Sequence, residues 1–166
     1  MADLTQFEAK QRVLASYEEA RSVATFSVKT PAFLPSALSL ARIVYVLPPW
    51  LSDDYKGTAG FIDFVYWSPQ TNLVITQGYT SPLDARGAPP GRSGETRVNG
   101  GPATWIDGYL AVDEPIQGEG PENNPTAKWQ SGRLTLCWRG DGLISYRLTS
   151  EGLSLEQLTQ VAESLQ

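Results

Sequence analysis

The sequence predicts a single α+β domain built on one curved antiparallel sheet, with a helix from each end of the chain packed on it. The chain has 166 residues, the size of one ordinary domain, and 41% of them are hydrophobic, enough for a core. Its 15 glycines and 12 prolines separate short apolar stretches, as in sheets joined by loops. Helical periodicity occurs only near the two ends, which argues against alternating βαβ units.

The first predicted element is an N-terminal helix within residues 1–24. Leu4, Phe7, Leu14 and Tyr17 recur at helical spacing with charged residues between them, and Asp3 is a suitable N-cap. We expect this helix to pack on the sheet through its single apolar stripe.

Residues 25–150 are predicted to form an antiparallel sheet of about six to eight strands. The first strand is short and contains Phe26 and Val28. The others are predicted at residues 38–47, 60–67, 73–77, 95–98, 103–110, 133–138 and 143–148. Asn99-Gly100 predicts a tight hairpin, because both central positions of a type I′ turn need positive φ. Two long loops, 79–93 and 111–130, flank this hairpin, and loops of such length often carry function.

The last predicted element is a C-terminal helix over residues 154–165. Ser154 and Gln157 have the spacing of a capping box. Leu155, Leu158 and Leu165 then lie on one stripe of the helix, which we expect to cover the sheet.

Composition excludes several classes of function. The chain has no histidine and one cysteine, Cys137, so His-based catalysis, disulfides and Cys clusters are excluded. Cys137 lies within a predicted strand and is expected to be a buried, inert thiol. The net charge of −5 argues against nucleic acid, and no apolar run is long enough to span a membrane. We predict no catalytic residue, no metal ion and no cofactor.

Three stretches together resemble a known family. They are Phe33-Leu-Pro35 with the strand that follows, Phe64-Val-Tyr66 leading into residues 73–77, and a C-terminal block. This block consists of the Trp138–Leu148 hairpin and the capped helix after it. The chain resembles a bacterial extracytoplasmic domain family of unknown function, found in membrane-anchored proteins similar to anti-sigma factors or to lipoprotein-sorting proteins.

The resemblance implies a non-catalytic binding or sensing domain of an envelope or regulatory protein, with an unidentified protein or small ligand as its partner. It also implies an extracytoplasmic location and a membrane tether in the native protein. The first residues contain neither a basic nor an apolar signal-peptide region. If Met1 is the native start, the expected location is therefore the cytoplasm.

The predicted binding site is a shallow groove bordered by Arg86, Arg92, Trp105 and Tyr109. Arginine and aromatic side chains are the usual anchors of interfaces, and these four lie in or beside the long loops. Two alternative functions stay open. One is a histidine-free hydrolase acting through Asp63 and Asp107 or through other carboxylates, which requires two inward carboxyl groups in one cleft. The other is a structural domain that forms oligomers.

Overall fold

The computed structural model describes residues 10–35, 37–47, 60–80, 83, 85, 87–112 and 127–166. Its first elements are strand β1 (Lys10–Leu14), helix α1 (Tyr17–Val23), and strands β2 (Ser39–Leu47), β3 (Phe61–Trp67) and β4 (Asn72–Gly78). They are followed by β5 (Ser93–Val98), β6 (Gly101–Val112), β7 (Ala127–Arg139), β8 (Ser145–Ser150) and helix α2 (Leu155–Glu163).

The eight strands form one antiparallel sheet in the order β1-β2-β3-β4-β8-β7-β6-β5. Strand β8 lies between β4 and β7, so the last strand of the chain joins the first four strands to the β5–β7 group. The predicted α+β class and antiparallel sheet are confirmed.

The structure corrects the expectation of a single N-terminal helix within residues 1–24. Residues 1–9 lie outside the described part, Lys10–Leu14 is an edge strand paired with β2, and only Tyr17–Val23 is helical. Ser16 caps this short helix by accepting a hydrogen bond from the backbone N–H of Glu19. Four of the five residues of β1 are exposed, so neighbouring β2, rather than an apolar stripe, determines its conformation.

The turn between β5 and β6 has the predicted geometry. Asn99 and Gly100 both have positive φ, at 48° and 80°, and Val98 pairs directly with Gly101. Strands β6 and β7, which flank the predicted loop 111–130, are longer than expected, because β6 continues to Val112 and β7 begins at Ala127. Much of the predicted loop 111–130 lies outside the described residues, at 113–126.

One face of the sheet, here called the helix face, carries the core and both helices. Its central strand residues are buried, and Phe64, Tyr66, Leu73, Leu136 and Leu148 are at most 2% exposed. From α1, Tyr17 stacks on Phe64 and forms a hydroxyl–hydroxyl hydrogen bond with Tyr66. From α2, the buried residues are Leu158, Val161 and Ala162. Helix α1 contacts β1 and β2, and α2 contacts β5, β7 and β8.

Between the two helices, a non-regular segment crosses the helix face. The short strand expected at Phe26 and Val28 is wrong, since residues 24–30 contain no strand. Farther along, Pro31 forms an isolated bridge with Leu165, and the backbones of Thr30 and Gln166 exchange two hydrogen bonds. The segment is therefore held by the C-terminal end of the chain and by side chains rather than by a sheet neighbour.

Helix α2 begins with the predicted capping box. The Ser154 hydroxyl accepts a hydrogen bond from the Gln157 N–H, and the Gln157 side chain accepts one from the Ser154 N–H. No helix in the described part of the chain is long and apolar enough to cross a membrane.

Candidate functional site

The sheet face opposite the two helices, here called the outer face, presents one row of side chains that crosses seven strands. Strand pairing places each of these residues directly opposite the next one across the sheet, in the order Val44, Asp63, Thr76, Arg147, Cys137, Thr104 and Glu95. The row is polar or charged at most positions. Such a row on a face that no described helix covers is the leading candidate for a recognition surface.

The centre of the row is a linked polar group. The Thr76 hydroxyl donates a hydrogen bond of 2.6 Å to Asp63 Oδ1, and Arg147 is the cross-strand neighbour of Thr76. Burial raises the pKa of the Asp63 carboxyl, whereas the Thr76 hydroxyl and the charges of Arg147 and Arg42 lower it. The result is a carboxylate and arginines held close together in a partly dehydrated environment.

Around this polar group lies a groove of about 810 Å³, here called the central groove. Its apolar lining comes from alternate residues of β3 and β4, namely Phe61, Val65, Trp67 and Val74. The indole of Trp67 is 57% exposed, which is high for so large an apolar side chain. The groove thus combines apolar contact area with fixed charges, the usual composition of a binding site.

At one end of the central groove, Arg133 is positioned by two neighbours. Its guanidinium lies 4.2 Å from the centre of the Tyr109 ring and 3.3 Å from the Glu151 carboxylate. Both contacts lie at the surface, so each contributes only about 0–1 kcal/mol to stability. They hold the side chain in place at the rim of the groove.

The structure does not gather the three described members of the predicted site, Arg92, Trp105 and Tyr109, into one groove. Arg86 lies outside the described residues. Arg92 forms an ion pair with Asp107, and Trp105 pairs across strands with Leu136, on the helix face. Tyr109 lies instead under Arg133, which lines the central groove. Only Tyr109 therefore has a place next to the outer face.

Asp63 and Asp107 also lie apart. Asp63 belongs to the row on the outer face, whereas Asp107 pairs with Leu134 and lines a depression beside Leu153 and Leu155, at the start of α2. Asp107 accepts hydrogen bonds from Arg92 and from the Gly132 N–H. The two carboxylates are on opposite faces of the sheet, so they do not form the shared cleft that the hydrolase alternative requires.

Cys137 has the environment expected of it. The thiol is buried, forms no disulfide, and lies in the outer-face row between Arg147 and Thr104. Within the described ranges, no group of three or more His, Cys, Asp or Glu residues is arranged to hold a metal ion.

Sequence reasoning did not select Thr76, Arg147, Arg42 or Trp67. Successive side chains of a strand point to opposite faces of the sheet, so the sequence does indicate which residues of any one strand share a face. The register between strands distant in sequence, such as β4 and β8, was not readable.

Comparison of the chain with protein-family models, with curated proteins and with solved structures finds no match in any of the three.

Proposed function

We propose that the protein is a non-catalytic binding or sensing domain that takes its partner on the outer face of the sheet. The observation that carries the proposal is the central groove, where exposed Trp67 and other apolar side chains surround the Asp63–Thr76–Arg147 group. The helix face is occupied by the core, so it has little surface left for a partner. Aromatic and arginine side chains together favour a peptide or a small polar ligand.

The cellular setting is part of the same proposal. The resemblance to bacterial extracytoplasmic domains supports a location on the outer side of the membrane, in a tethered regulatory or envelope protein. The sheet is proposed to curve around its two helices, so that the outer face stays open for a partner.

Photocrosslinking in the native cells tests the binding surface. Trp67 is replaced by p-benzoylphenylalanine. In the matched control, p-benzoylphenylalanine replaces Glu156, an exposed residue of α2. We expect one discrete adduct from position 67 and none from position 156, with both variants retaining the wild-type thermal melt.

The other outcomes each decide between functions. Adducts of equal yield from both positions, or none from either, contradict a binding surface on the outer face. An adduct between two copies of this chain replaces the proposal with the oligomerisation alternative.

Labelling of intact cells tests the location. A membrane-impermeant amine reagent has access to exposed Lys128 only if the protein lies outside the cytoplasmic membrane. Labelling that requires cell lysis, as for a cytoplasmic control protein, contradicts the extracytoplasmic proposal.

A further inference from the structure

A second cavity of about 500 Å³ opens on the outer face beside the β5 edge of the sheet, here called the edge cavity. It is lined by residues of β5, β6, β7 and β8, and it shares only Thr80 with the central groove. Its volume lies within the range of small-molecule sites, which is about 300–1,000 Å³. It is therefore a separate site that the proposed function does not use.

Two arginines border the edge cavity. Arg97 pairs with Pro102, and the register of β6 with β7 places Pro102 opposite Arg139, so the small proline ring lies between the two side chains. The Arg97 guanidinium donates a hydrogen bond of 2.7 Å to the Gly100 carbonyl, which holds it at the turn. No carboxylate of the described residues lies within ion-pair distance of Arg97 or Arg139.

The remaining lining supplies hydroxyl groups and apolar surface. Thr80 and Ser145 are joined through their hydroxyls at one wall, and Ser145 is the cross-strand neighbour of Arg139. Leu143 lies at the cavity with 68% of its surface exposed, and Leu83 lines the same space. Glu95 is the one acidic residue of the described lining, so positive charge exceeds negative charge among the described lining residues.

Two planar arginine groups at one cavity attract an anion, and they can bind a carboxylate in bidentate fashion. An inorganic anion would leave Leu83 and Leu143 without contact. We infer that the edge cavity binds a small organic carboxylate with an apolar body, its head group at Arg97 and Arg139 and its body against the leucines.

Titration with octanoate, followed in amide NMR spectra, tests this site. We expect saturable shifts confined to the lining of the edge cavity, with a dissociation constant on the order of a millimolar for so small a ligand. Arg97→Gln and Arg139→Gln should each weaken binding by about tenfold, since each removes a charge-assisted hydrogen bond to the carboxylate. Both arginines are exposed, and unchanged melts verify that the variants fold.

Arg42→Gln is the matched control, because Arg42 is an exposed arginine of the outer face away from this cavity. Its octanoate affinity should equal that of the wild type. Arg97→Lys and Arg139→Lys, which keep the charge without the planar group, should weaken binding less than the glutamine variants do.

Three results overturn the inference. Octylamine binding as tightly as octanoate shows that charge is not recognised. Inorganic phosphate binding as tightly shows that the apolar body contributes nothing. Equal weakening by Arg42→Gln shows general attraction rather than a site. In each case, crosslinking from position 67 in the central groove still decides the proposed function independently.

Discussion

The side-chain amide of Gln77 forms two hydrogen bonds with the backbone of Lys29, 48 positions earlier in the chain. Gln77 Oε1 accepts from the Lys29 N–H at 2.8 Å, and Gln77 Nε2 donates to the Lys29 carbonyl at 2.7 Å. Gln77 is 0% exposed and lies on the helix face among apolar residues. The buried side-chain amide thus satisfies the backbone N–H and C=O of Lys29, as a neighbouring strand would. This explains how a segment without regular structure can cross the core.

Replacing Gln77 with leucine should reduce the free energy of unfolding by about 2–4 kcal/mol, because the partly buried N–H and C=O of Lys29 both lose their partner. Urea denaturation measures the loss. Gln160→Leu, at an exposed position of α2, is the matched control and should change stability by no more than about 0.5 kcal/mol. Equal effects at the two positions would mean that the paired hydrogen bonds are not what stabilises the segment.

The β5–β6 turn allows a backbone effect to be separated from a packing effect. At Gly100, φ is +80° and an added Cβ would meet no atom within 4 Å, so Gly100→Ala tests conformation alone. We expect it to lower the free energy of unfolding by about 1–2 kcal/mol.

The neighbouring glycine supplies the control for that substitution. Gly101 lacks a positive φ, and the nearest contact of an added Cβ is the Val98 carbonyl oxygen at 3.5 Å. Gly101→Ala should therefore leave thermal denaturation unchanged or raise the melting temperature slightly, since alanine restricts the unfolded chain. If both variants were destabilised alike, the type I′ geometry would not be the cause.

Asp63 should make stability depend on pH in a defined direction. Its pKa in the folded protein is raised above the ordinary value of an aspartate, mainly by burial, so the native state holds this proton more tightly than the unfolded chain does. The corresponding stability is fully present below the unfolded pKa and is lost as the pH rises through the folded pKa. Relative to Asp63→Asn, the wild type should therefore lose free energy of unfolding over that window and then level off.

Carbon-detected NMR titration of the Asp63 carboxyl checks the cause. Thr76→Val removes a hydrogen bond that lowers the pKa, so the pKa of Asp63 should rise further. Thr135→Val alters another buried threonine of the outer face, which hydrogen-bonds Thr149 rather than Asp63, and should leave this pKa unchanged. A fall in the pKa of Asp63 in Thr76→Val would contradict the assigned role of the hydroxyl.

Local sequence patterns predicted the features that depend on residues close to one another in the chain. The capping box at Ser154 and Gln157 and the turn at Asn99-Gly100 were both readable, because each is made by residues at most three positions apart. Aromatic and β-branched composition likewise located β3, and the turn after it located β4 as the returning strand of a hairpin.

The segment Lys10–Leu14 shows where the same method fails. Its only buried residue is Leu14, so it has no alternation to indicate a strand, while Leu4, Phe7, Leu14 and Tyr17 happen to fit a helical period. The open edge of β2 makes this segment a strand, because its backbone groups form hydrogen bonds with residues 10–14 that a helix could not form. Such an edge is a property of the assembled sheet, not of residues 10–14.

By itself, the sequence determined an α+β chain with antiparallel strands, a tight turn at Asn99 and a capped last helix. Only the tertiary structure decided that β8 would lie between β4 and β7. That insertion brings Arg147 beside Thr76 and Asp63, and it leaves Asp107 on the opposite face. The physical reason is that register between distant strands is set by how all the apolar faces are buried together, so no single stretch of sequence contains it.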